Sequence, residues 1–259
     1  MDNSSSTRRT SRFAALPPDE RRLQATVTIQ KAVRAFAARK RLEHLSTLGK
    51  PVYEALRVYH GTHDENAPGI LQQGLRAQGG PGLSGLIGDH SASQGKVFYT
   101  KDKQQAAYYA RTLSSVAQYD RELGAQRARD WDRLEDLRAA PVQPTVVRAL
   151  LPLSVQQQAT PDPKGGSQDF TIQANVQPGL VLPGHLQPDA DIAQRRAAVN
   201  LFQAELGNRG VTTTPEEAAT TLTRLRRNSI ASDQAAIDSN YAVEGADRHL
   251  ATLKFTKPF

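Results

Sequence analysis

The stretch Val58-Tyr59-His60-Gly61-Thr62 begins with β-branched and aromatic side chains and ends with a histidine, a glycine and a threonine. Residues 52–62 alternate in polarity as a half-buried strand does. Glycine lets a ligand approach the backbone closely, and the histidine beside it offers a hydrogen bond. The stretch therefore predicts a strand that carries part of a binding site at its end.

Two further segments of the same kind follow along the chain. Residues 64–77 have the pattern of a short helix that ends near Gly74, and the glycine-rich residues 79–95 predict a long loop. Val97-Phe98-Tyr99-Thr100 predicts a second strand with aromatic side chains, and Tyr108-Tyr109 follow on a helix. We expect the strand ends and the aromatic side chains to meet in one cleft.

The composition describes a polar chain without a candidate membrane span. Hydrophobic residues make up 38% of the 259 residues, and no apolar run approaches the roughly 20 residues that cross a bilayer. Residues 1–12 lack the apolar segment of a secretory signal peptide. The absence of cysteine excludes disulfides, thiolate nucleophiles and cysteine zinc sites. We expect no membrane partner and no bound metal.

The net charge of +7 lies in the N-terminal arm. Residues 1–50 hold eleven lysines and arginines against four acidic residues, whereas the rest of the chain holds 22 of each. Binding to nucleic acid needs a concentrated basic surface, because phosphate contacts supply most of the affinity. We therefore expect no nucleic-acid partner for the body of the protein.

The chain is expected to comprise a disordered segment, a helix and one domain. Residues 1–18 are rich in serine and arginine and predict disorder. Residues 19–50 predict a basic amphipathic helix that ends at Gly49-Lys50-Pro51. Residues 51–259 predict one domain with a helical insertion at about 104–140.

Strands separated by helices and long loops predict an α+β or mixed α/β fold for this domain, and we expect α+β. The helical region over residues 104–138 is expected to break at Gly124, and a further helix is expected over residues 189–206. Thr214-Pro215-Glu216-Glu217 has the pattern of a capped helix start. The remaining segments, in chain order, predict strands over residues 146–153, 170–176, 240–243 and 250–255, with a linker over residues 160–168.

The order of these pieces resembles ADP-ribosyltransferases of the poly(ADP-ribose) polymerase and diphtheria-toxin type. The resemblance covers residues 52–110 and, less closely, residues 230–255. It implies a split β-sandwich with flanking helices, to which this chain adds a helical substrate-recognition region. It also implies NAD as the cofactor, with His60 holding a ribose hydroxyl and the backbone of Gly61 gripping the nicotinamide carboxamide.

The same resemblance implies that aromatic side chains enclose the nicotinamide ring. Tyr109 matches the family's helix tyrosine, whereas Phe98 stands where the family usually has a tyrosine, with Tyr99 beside it. Thr62, Thr100 and Asn240 complete the expected cofactor-binding set. Ordinary core packing is the alternative interpretation for either member of the Tyr108-Tyr109 pair.

The catalytic acid departs further from the family pattern. Cleavage of the nicotinamide–ribose bond develops positive charge on the sugar, which a carboxylate stabilises. Asn240 occupies the position where the family places a glutamate on a late strand. In an extended segment Asp238, Asn240 and Glu244 share one face, so we expect Glu244 or Asp238 to be the catalytic acid; a solvated turn at Glu244 is the alternative.

The N-terminal helix carries a second motif. Ile29-Gln30, with Arg34 and Arg39 five and ten residues after Ile29, resembles the IQ motif, although Ala35 replaces the usual glycine. Such helices bind calmodulin-like proteins through an apolar face and a basic rim. Residues 29–42 therefore predict a calmodulin-like partner, and a basic amphipathic helix that packs elsewhere is the alternative.

The resemblance to ADP-ribosyltransferases implies an enzyme that transfers one ADP-ribose group from NAD to a protein side chain. The serine-rich start, the missing cysteines and the IQ-like helix suggest a bacterial effector and virulence factor, secreted into the host cytosol. The resemblance is closest to effectors that modify a threonine of ubiquitin and thereby block ubiquitination. The alternatives are a catalytically degenerate NAD-binding or calmodulin-binding interaction protein and the related RNA 2′-phosphotransferase.

Overall fold

The computed structural model describes residues 17–77, 95–162, 167–182 and 195–241, with residues 230–241 described by their backbone alone. The described chain is α+β, which confirms the predicted class. The helices are α1 (Pro18–Leu56), α2 (Asn66–Gln73), α3 (Lys103–Ala128), α4 (Trp131–Ala139), α5 (Leu153–Gln157), α6 (Arg196–Asn208) and α7 (Pro215–Tyr241), and Pro178–Leu180 forms a 3-10 turn. The strands are β1 (Arg57–His63), β2 (Val97–Thr100), β3 (Pro144–Leu150), β4 (Thr160–Pro161), β5 (Asp169–Ile172) and β6 (Val181–Leu182).

The strands form one open sheet in the order β4-β5-β2-β1-β3-β6. Every neighbouring pair is antiparallel. β1 pairs with β3 along its whole length, from Arg57↔Leu150 to His63↔Pro144, and β2 pairs with β5 over all four of its residues. The stretch that opens the binding-site pattern therefore lies on an inner strand of the sheet.

The two faces of the sheet bury different sets of side chains. One face buries a large apolar cluster that includes Val58, Tyr99 and Ile172. The opposite face buries Tyr59 and Val146 together with three alanines of α3, namely Ala106, Ala107 and Ala110. Alanine side chains keep a helix close to a sheet, so α3 lies directly on β1 and β3.

The chain divides into two compact units, residues up to Thr47 and residues from Leu48 onward. α1 runs through this boundary, so the predicted helix end at Gly49-Lys50-Pro51 is wrong. Gly49 lies inside the helix, where an added Cβ atom would stand 2.8 Å from Cζ of Phe202. Val52 and other apolar residues after Pro51 pack in a core with Phe202, and this burial outweighs the hydrogen bond that the proline cannot donate.

This longer helix also shortens the first predicted strand. Residues 52–56 are helical, and β1 begins only at Arg57. The apolar residues Val52, Tyr53 and Leu56 are all buried in the core that contains Phe202. Their spacing fits one face of a helix as well as it fits a short strand, and tertiary packing decides between the two.

The break in the predicted 104–138 helix lies later than expected. α3 continues past Gly124 to Ala128, and α4 starts after Asp130. Arg129 takes a left-handed conformation with φ 56°, and the Asp130 side chain accepts a hydrogen bond from the Arg133 N–H at 3.1 Å. A helix interior tolerates a single glycine at a modest cost, whereas an aspartate N-cap starts a new helix.

The capped helix start at residue 214 is confirmed. The Thr214 hydroxyl accepts from the Glu217 N–H at 3.1 Å, and the Glu217 carboxylate accepts from the Thr214 N–H at 3.1 Å. α7 then continues to Tyr241. The strand predicted over residues 240–243 is therefore wrong at Asn240 and Tyr241, because no glycine or proline interrupts the helix before that point.

Several predictions fall outside the described residues. These are the disorder over residues 1–16, the loop over residues 79–94, the middle of the predicted linker at residues 163–166, the first part of the 189–206 helix, and the strand over residues 250–255.

Lys101 connects the end of β2 to the junction between α1 and β1. Its Nζ donates to the carbonyls of Ala55 at 2.6 Å and Arg57 at 3.0 Å. Burial, followed by the nearby Arg57 charge, lowers the pKa of Lys101 from 10.5 to about 8. The lysine therefore satisfies carbonyls where a helix ends and a strand begins.

Replacing Lys101 by methionine is expected to lower the free energy of unfolding by about 1–3 kcal/mol, because two part-buried carbonyls lose a donor. The depressed pKa adds a pH dependence: the cost of burying the charge is present below about pH 8 and is relieved as the pH rises toward 10.5. Urea unfolding of both proteins across this range measures it. We expect the advantage of the wild type to grow with pH, and equal stability at every pH would contradict the assigned role.

Candidate functional site

The pairing between β1 and β2 stops after one residue pair. Tyr59 lies opposite Thr100, and continuing the antiparallel register would place Gly61 opposite Phe98. No such pair is formed, although β3 accompanies β1 along its entire length. We call the part of this strand boundary between Gly61 and Phe98 the β1–β2 notch.

The peptide groups of Gly61 point toward this notch. The Asp64 N–H donates to the Gln143 carbonyl at 2.9 Å, on the β3 side of the chain. The Arg57 carbonyl accepts from Lys101, on the β2 side. Because successive residues of a strand direct their peptide groups to opposite neighbours, Gly61 has the same orientation as Arg57 and faces β2.

In the notch, the His60 ring takes the hydrogen-bonding position that the Gly61 N–H would have opposite Phe98 in a continued ladder. Its Nδ1 lies 2.9 Å from the Phe98 carbonyl oxygen, the acceptor that a continued ladder would give to the Gly61 N–H. A carbonyl only accepts hydrogen bonds, so Nδ1 carries the proton. His60 thus uses the acceptor that Gly61 would use in a regular ladder.

The protonation state of His60 fixes what its other nitrogen offers. Burial lowers the pKa of His60 below 6.5, and the hydrogen bond to Phe98 opposes only part of this shift. The imidazole is therefore neutral at pH 7, with Nδ1 as the donor and Nε2 as an acceptor. Such a nitrogen accepts a hydrogen bond from a ligand hydroxyl group.

Tyr109 crosses the sheet beside the notch. Its Cβ would lie 2.9 Å from a Cβ added to Gly61 on β1. Its hydroxyl donates to Oδ2 of Asp169 on β5 at 2.5 Å. Because β2 lies between β1 and β5 in the sheet, the ring passes over β2 on the face covered by α3.

Gly61 is packed tightly on this face. An added Cβ would stand 2.3 Å from the Ala106 carbonyl oxygen and 2.7 Å from the Ala110 nitrogen. The position therefore requires glycine for the packing of α3, in addition to any contact with a ligand.

Not all of the other expected cofactor-binding residues lie at the notch. Phe98 is half-buried on β2 at the notch, and its carbonyl binds His60. Tyr99 is buried in the apolar cluster of the opposite face, with its ring stacked on Phe170 at 5.7 Å. Thr62 is buried, and the Thr100 hydroxyl accepts from the Asp102 N–H at 3.0 Å. Tyr99 is thus a core residue and Thr100 supports the entry to α3.

The structure places the proposed acids on a helix or leaves them outside the described residues. Asp238 and Asn240 belong to α7, so the extended arrangement expected for them is wrong. A helical backbone does not align residues two apart on one face. Glu244 lies outside the described residues, and the side chains of Asp238 and Asn240 are likewise not described.

One buried carboxylate that binds Tyr109 was not expected from the sequence. Asp169 is 3% exposed and receives the Tyr109 hydrogen bond. It lies 60 residues from Tyr109 in the chain, a separation that local patterns do not bridge. The sequence feature that could have identified Asp169 is its position directly before the alternating Phe170 and Ile172, where a strand begins.

Comparisons with known proteins add no relative: no family model, curated protein or solved structure matches the chain. Within the described ranges, no group of three or more histidine and acidic side chains has an arrangement that would hold a metal ion. No helix in those ranges is long and apolar enough to cross a membrane. The site therefore has to be interpreted from its own geometry.

Proposed function

We propose that the protein is an NAD-dependent mono-ADP-ribosyltransferase that modifies a protein side chain. The observation that supports this most strongly is the meeting of His60, Gly61 and Tyr109 at the β1–β2 notch. A backbone donor–acceptor pair, a neutral imidazole acceptor and an aromatic ring are the groups that a nicotinamide riboside needs.

Each group has a role that its geometry supports. The Gly61 N–H and C=O face the notch, so they match the acceptor and donor of a carboxamide. The Tyr109 ring passes over β2 beside them, which suits stacking with the nicotinamide ring at about 0.5–1.5 kcal/mol beyond burial. The Nε2 atom of His60 accepts a hydrogen bond from a ribose hydroxyl.

The proposed reaction breaks the nicotinamide–ribose bond. Nicotinamide leaves with the bonding electrons, and the acceptor side chain forms a bond to the anomeric carbon as it loses a proton. A carboxylate stabilises the positive charge that develops on the sugar. Glu244 remains our first candidate for this acid and Asp238 the second.

The finer fold assignment belongs to the same proposal. A split β-sandwich of the ADP-ribosyltransferase type opens between the strand with the histidine and its neighbour. The early end of the pairing between β1 and β2 supports such an opening. The region from α3 to α4 and the N-terminal arm supply surfaces for recognising the acceptor protein.

Turnover of NAD by the full chain is the expected result that tests this function. Nicotinamide release is measured with the wild type and with Glu244→Gln, Asp238→Asn and Glu54→Gln. Glu54 lies exposed on α1 and serves as the control. Loss of an acid that stabilises the transition state is expected to reduce the rate by about 100-fold or more.

Acceptor identity comes from intact-mass spectrometry of host lysate proteins incubated with enzyme and NAD. We propose a threonine of ubiquitin as the acceptor and the host cytosol as the place of action, so ubiquitin should gain the mass of one ADP-ribose group. If the protein binds NAD without turning it over, the proposed enzymatic activity is wrong and the alternative of a degenerate NAD-binding protein is supported. Neither binding nor turnover would refute both.

A second candidate function, binding of a calmodulin-like protein, is favoured by the exposed apolar side chains of the first unit. Ile29, Val33 and Phe36 lie on one side of α1 at helical spacing and are 56–63% exposed. Arg34 and Arg39 flank them in the sequence. We propose that this face binds the apolar groove and acidic rim of such a protein.

Replacing Ile29 by glutamate in the full chain is expected to weaken binding of calmodulin by about 30-fold or more, because the charge would enter an apolar groove at a cost of about 2 kcal/mol or more. Calorimetric titration with and without Ca²⁺ measures the effect. Leu23→Glu, an equally exposed position outside the motif, is the control and should retain binding. Equal affinities for both variants and the wild type would contradict the proposal.

A further inference from the structure

Tyr109 and Asp169 form a part-buried hydrogen bond. The roles proposed for the Gly61 backbone and the His60 ring do not involve this bond. Asp169 begins β5 and pairs with Thr100 of β2. Its carboxylate receives the Tyr109 hydroxyl, which comes from α3 on the same face of the sheet. The contact joins a helix to a strand that is two strands away from β1.

This hydrogen bond holds the far end of the Tyr109 side chain. The near end is fixed by the packing of α3, because Cβ of Tyr109 lies close to Gly61. A tyrosine has two side-chain torsions, so fixing both ends leaves the ring one orientation. The neighbouring Tyr108 ring lies at 60° to it, with 5.8 Å between centroids, and limits the ring further.

The surroundings of the Tyr109 hydroxyl determine that it donates the hydrogen bond to Asp169. Burial, and then the hydrogen bond to Asp169, raise the pKa of Tyr109. The charge of Asp162, whose N–H donates to the Asp169 carbonyl at 2.9 Å, acts in the same sense. The phenol therefore stays protonated and donates, and the carboxylate accepts. A charge-assisted bond of this kind is about twice as strong as a neutral one.

We propose that Asp169 is a positioning residue, which holds the Tyr109 ring as the aromatic wall of the nicotinamide subsite. This inference rests on the proposed function, and it adds a residue that acts through Tyr109 without touching NAD. It assigns Asp169 to recognition of the nicotinamide half of NAD.

That assignment gives a selective expectation. Asp169→Ala should weaken binding of NAD by about three- to tenfold, the range that corresponds to the loss of one aromatic stack. ADP-ribose lacks nicotinamide, so its affinity for the variant should differ from that for the wild type by no more than about twofold. This is well below the tenfold change in affinity that corresponds to about 1.4 kcal/mol. Asp169→Asn retains an acceptor for the hydroxyl and should restore most of the NAD affinity.

The test is a calorimetric titration of the full chain with NAD and, separately, with ADP-ribose. Tyr109→Phe keeps the ring but loses its anchor, so it should show the same selective loss and decides the question if Asp169→Ala does not fold. Tyr108→Phe is the matched control and should bind both ligands as the wild type does.

Unchanged affinity for NAD in Tyr109→Phe and in folded Asp169→Ala would overturn the inference. An equal loss for NAD and ADP-ribose would also overturn it, because a merely structural role predicts that pattern. A wild type that binds neither ligand would refute the proposed function itself, and the inference with it. These three results are distinguishable in the same titrations.

Discussion

Gly61→Ala is expected to lower the free energy of unfolding by about 3 kcal/mol, at the upper end for an overpacked interior. The methyl group would stand 2.3 Å from the Ala106 carbonyl oxygen and 2.7 Å from the Ala110 nitrogen. Both are backbone atoms of α3, so no side-chain rotation relieves the contact. The helix has to move away from β1, and the Tyr109 ring has to move with it.

Urea unfolding of the purified variant measures this loss. Gly124→Ala, within α3, is the control, because a Cβ added at Gly124 would meet nothing within 4 Å. That substitution should stabilise the protein by up to about 1 kcal/mol through helix propensity. A Gly61→Ala protein as stable as the wild type would contradict the close packing of α3 on β1.

Replacing His60 by alanine is expected to reduce the affinity for NAD by about tenfold or more, equivalent to about 1.4 kcal/mol. The substitution removes the Nε2 acceptor proposed for the ribose hydroxyl, and it removes the ring whose Nδ1 donates to the Phe98 carbonyl. Without the ring, the Phe98 carbonyl is free to accept from the Gly61 N–H, as in a regular ladder. The notch would then close.

Titration calorimetry with the full chain checks this expectation. His63→Ala, three residues along β1, is the matched control and should bind NAD as the wild type does. The lowered pKa of His60 adds a pH test: affinity should hold at pH 7 and fall only as the pH drops below 6.5, where the imidazole gains its proton. Equal NAD affinities for His60→Ala and the wild type would contradict the assigned role.

Local sequence patterns predicted the parts of the fold that depend on local contacts. The threonine and glutamate that cap α7 are three residues apart, and each satisfies the other's backbone N–H. Gly74 ends α2 with φ 79°, a conformation that glycine adopts without strain. In both places the residues that determine the structure are neighbours in the chain.

Tertiary packing accounts for the boundaries that the sequence did not predict. Gly49 and Pro51 are helix-ending residues by local rules, yet the burial of Val52 and Leu56 in one core with Phe202 keeps α1 continuous. The partners are more than a hundred residues apart, so no local pattern contains this information. The same holds for Asp169, whose partner Tyr109 belongs to another element.

The candidate site was partly predictable for the same reason. His60, Gly61 and Tyr109 were identified by their order and spacing, and the structure brings them together at the notch. Tyr99 was expected to line the same cleft, but strand alternation places its side chain on the face away from α3 and Tyr109, where it stacks on Phe170. The expected acid at Asp238 depended on an extended segment that is helical as far as Tyr241.

We propose that the β1–β2 notch binds the nicotinamide end of NAD through the Gly61 peptide groups. An NMR titration of the isotope-labelled full chain with NAD tests it most directly, with the backbone amide of Gly61 as the reporter and that of Gly124 as the internal control. We predict that the Gly61 amide is among the most strongly shifted signals and that the Gly124 amide stays unchanged. Saturable binding of NAD that leaves the Gly61 amide signal unshifted, or no binding at all, would refute the proposed role of Gly61.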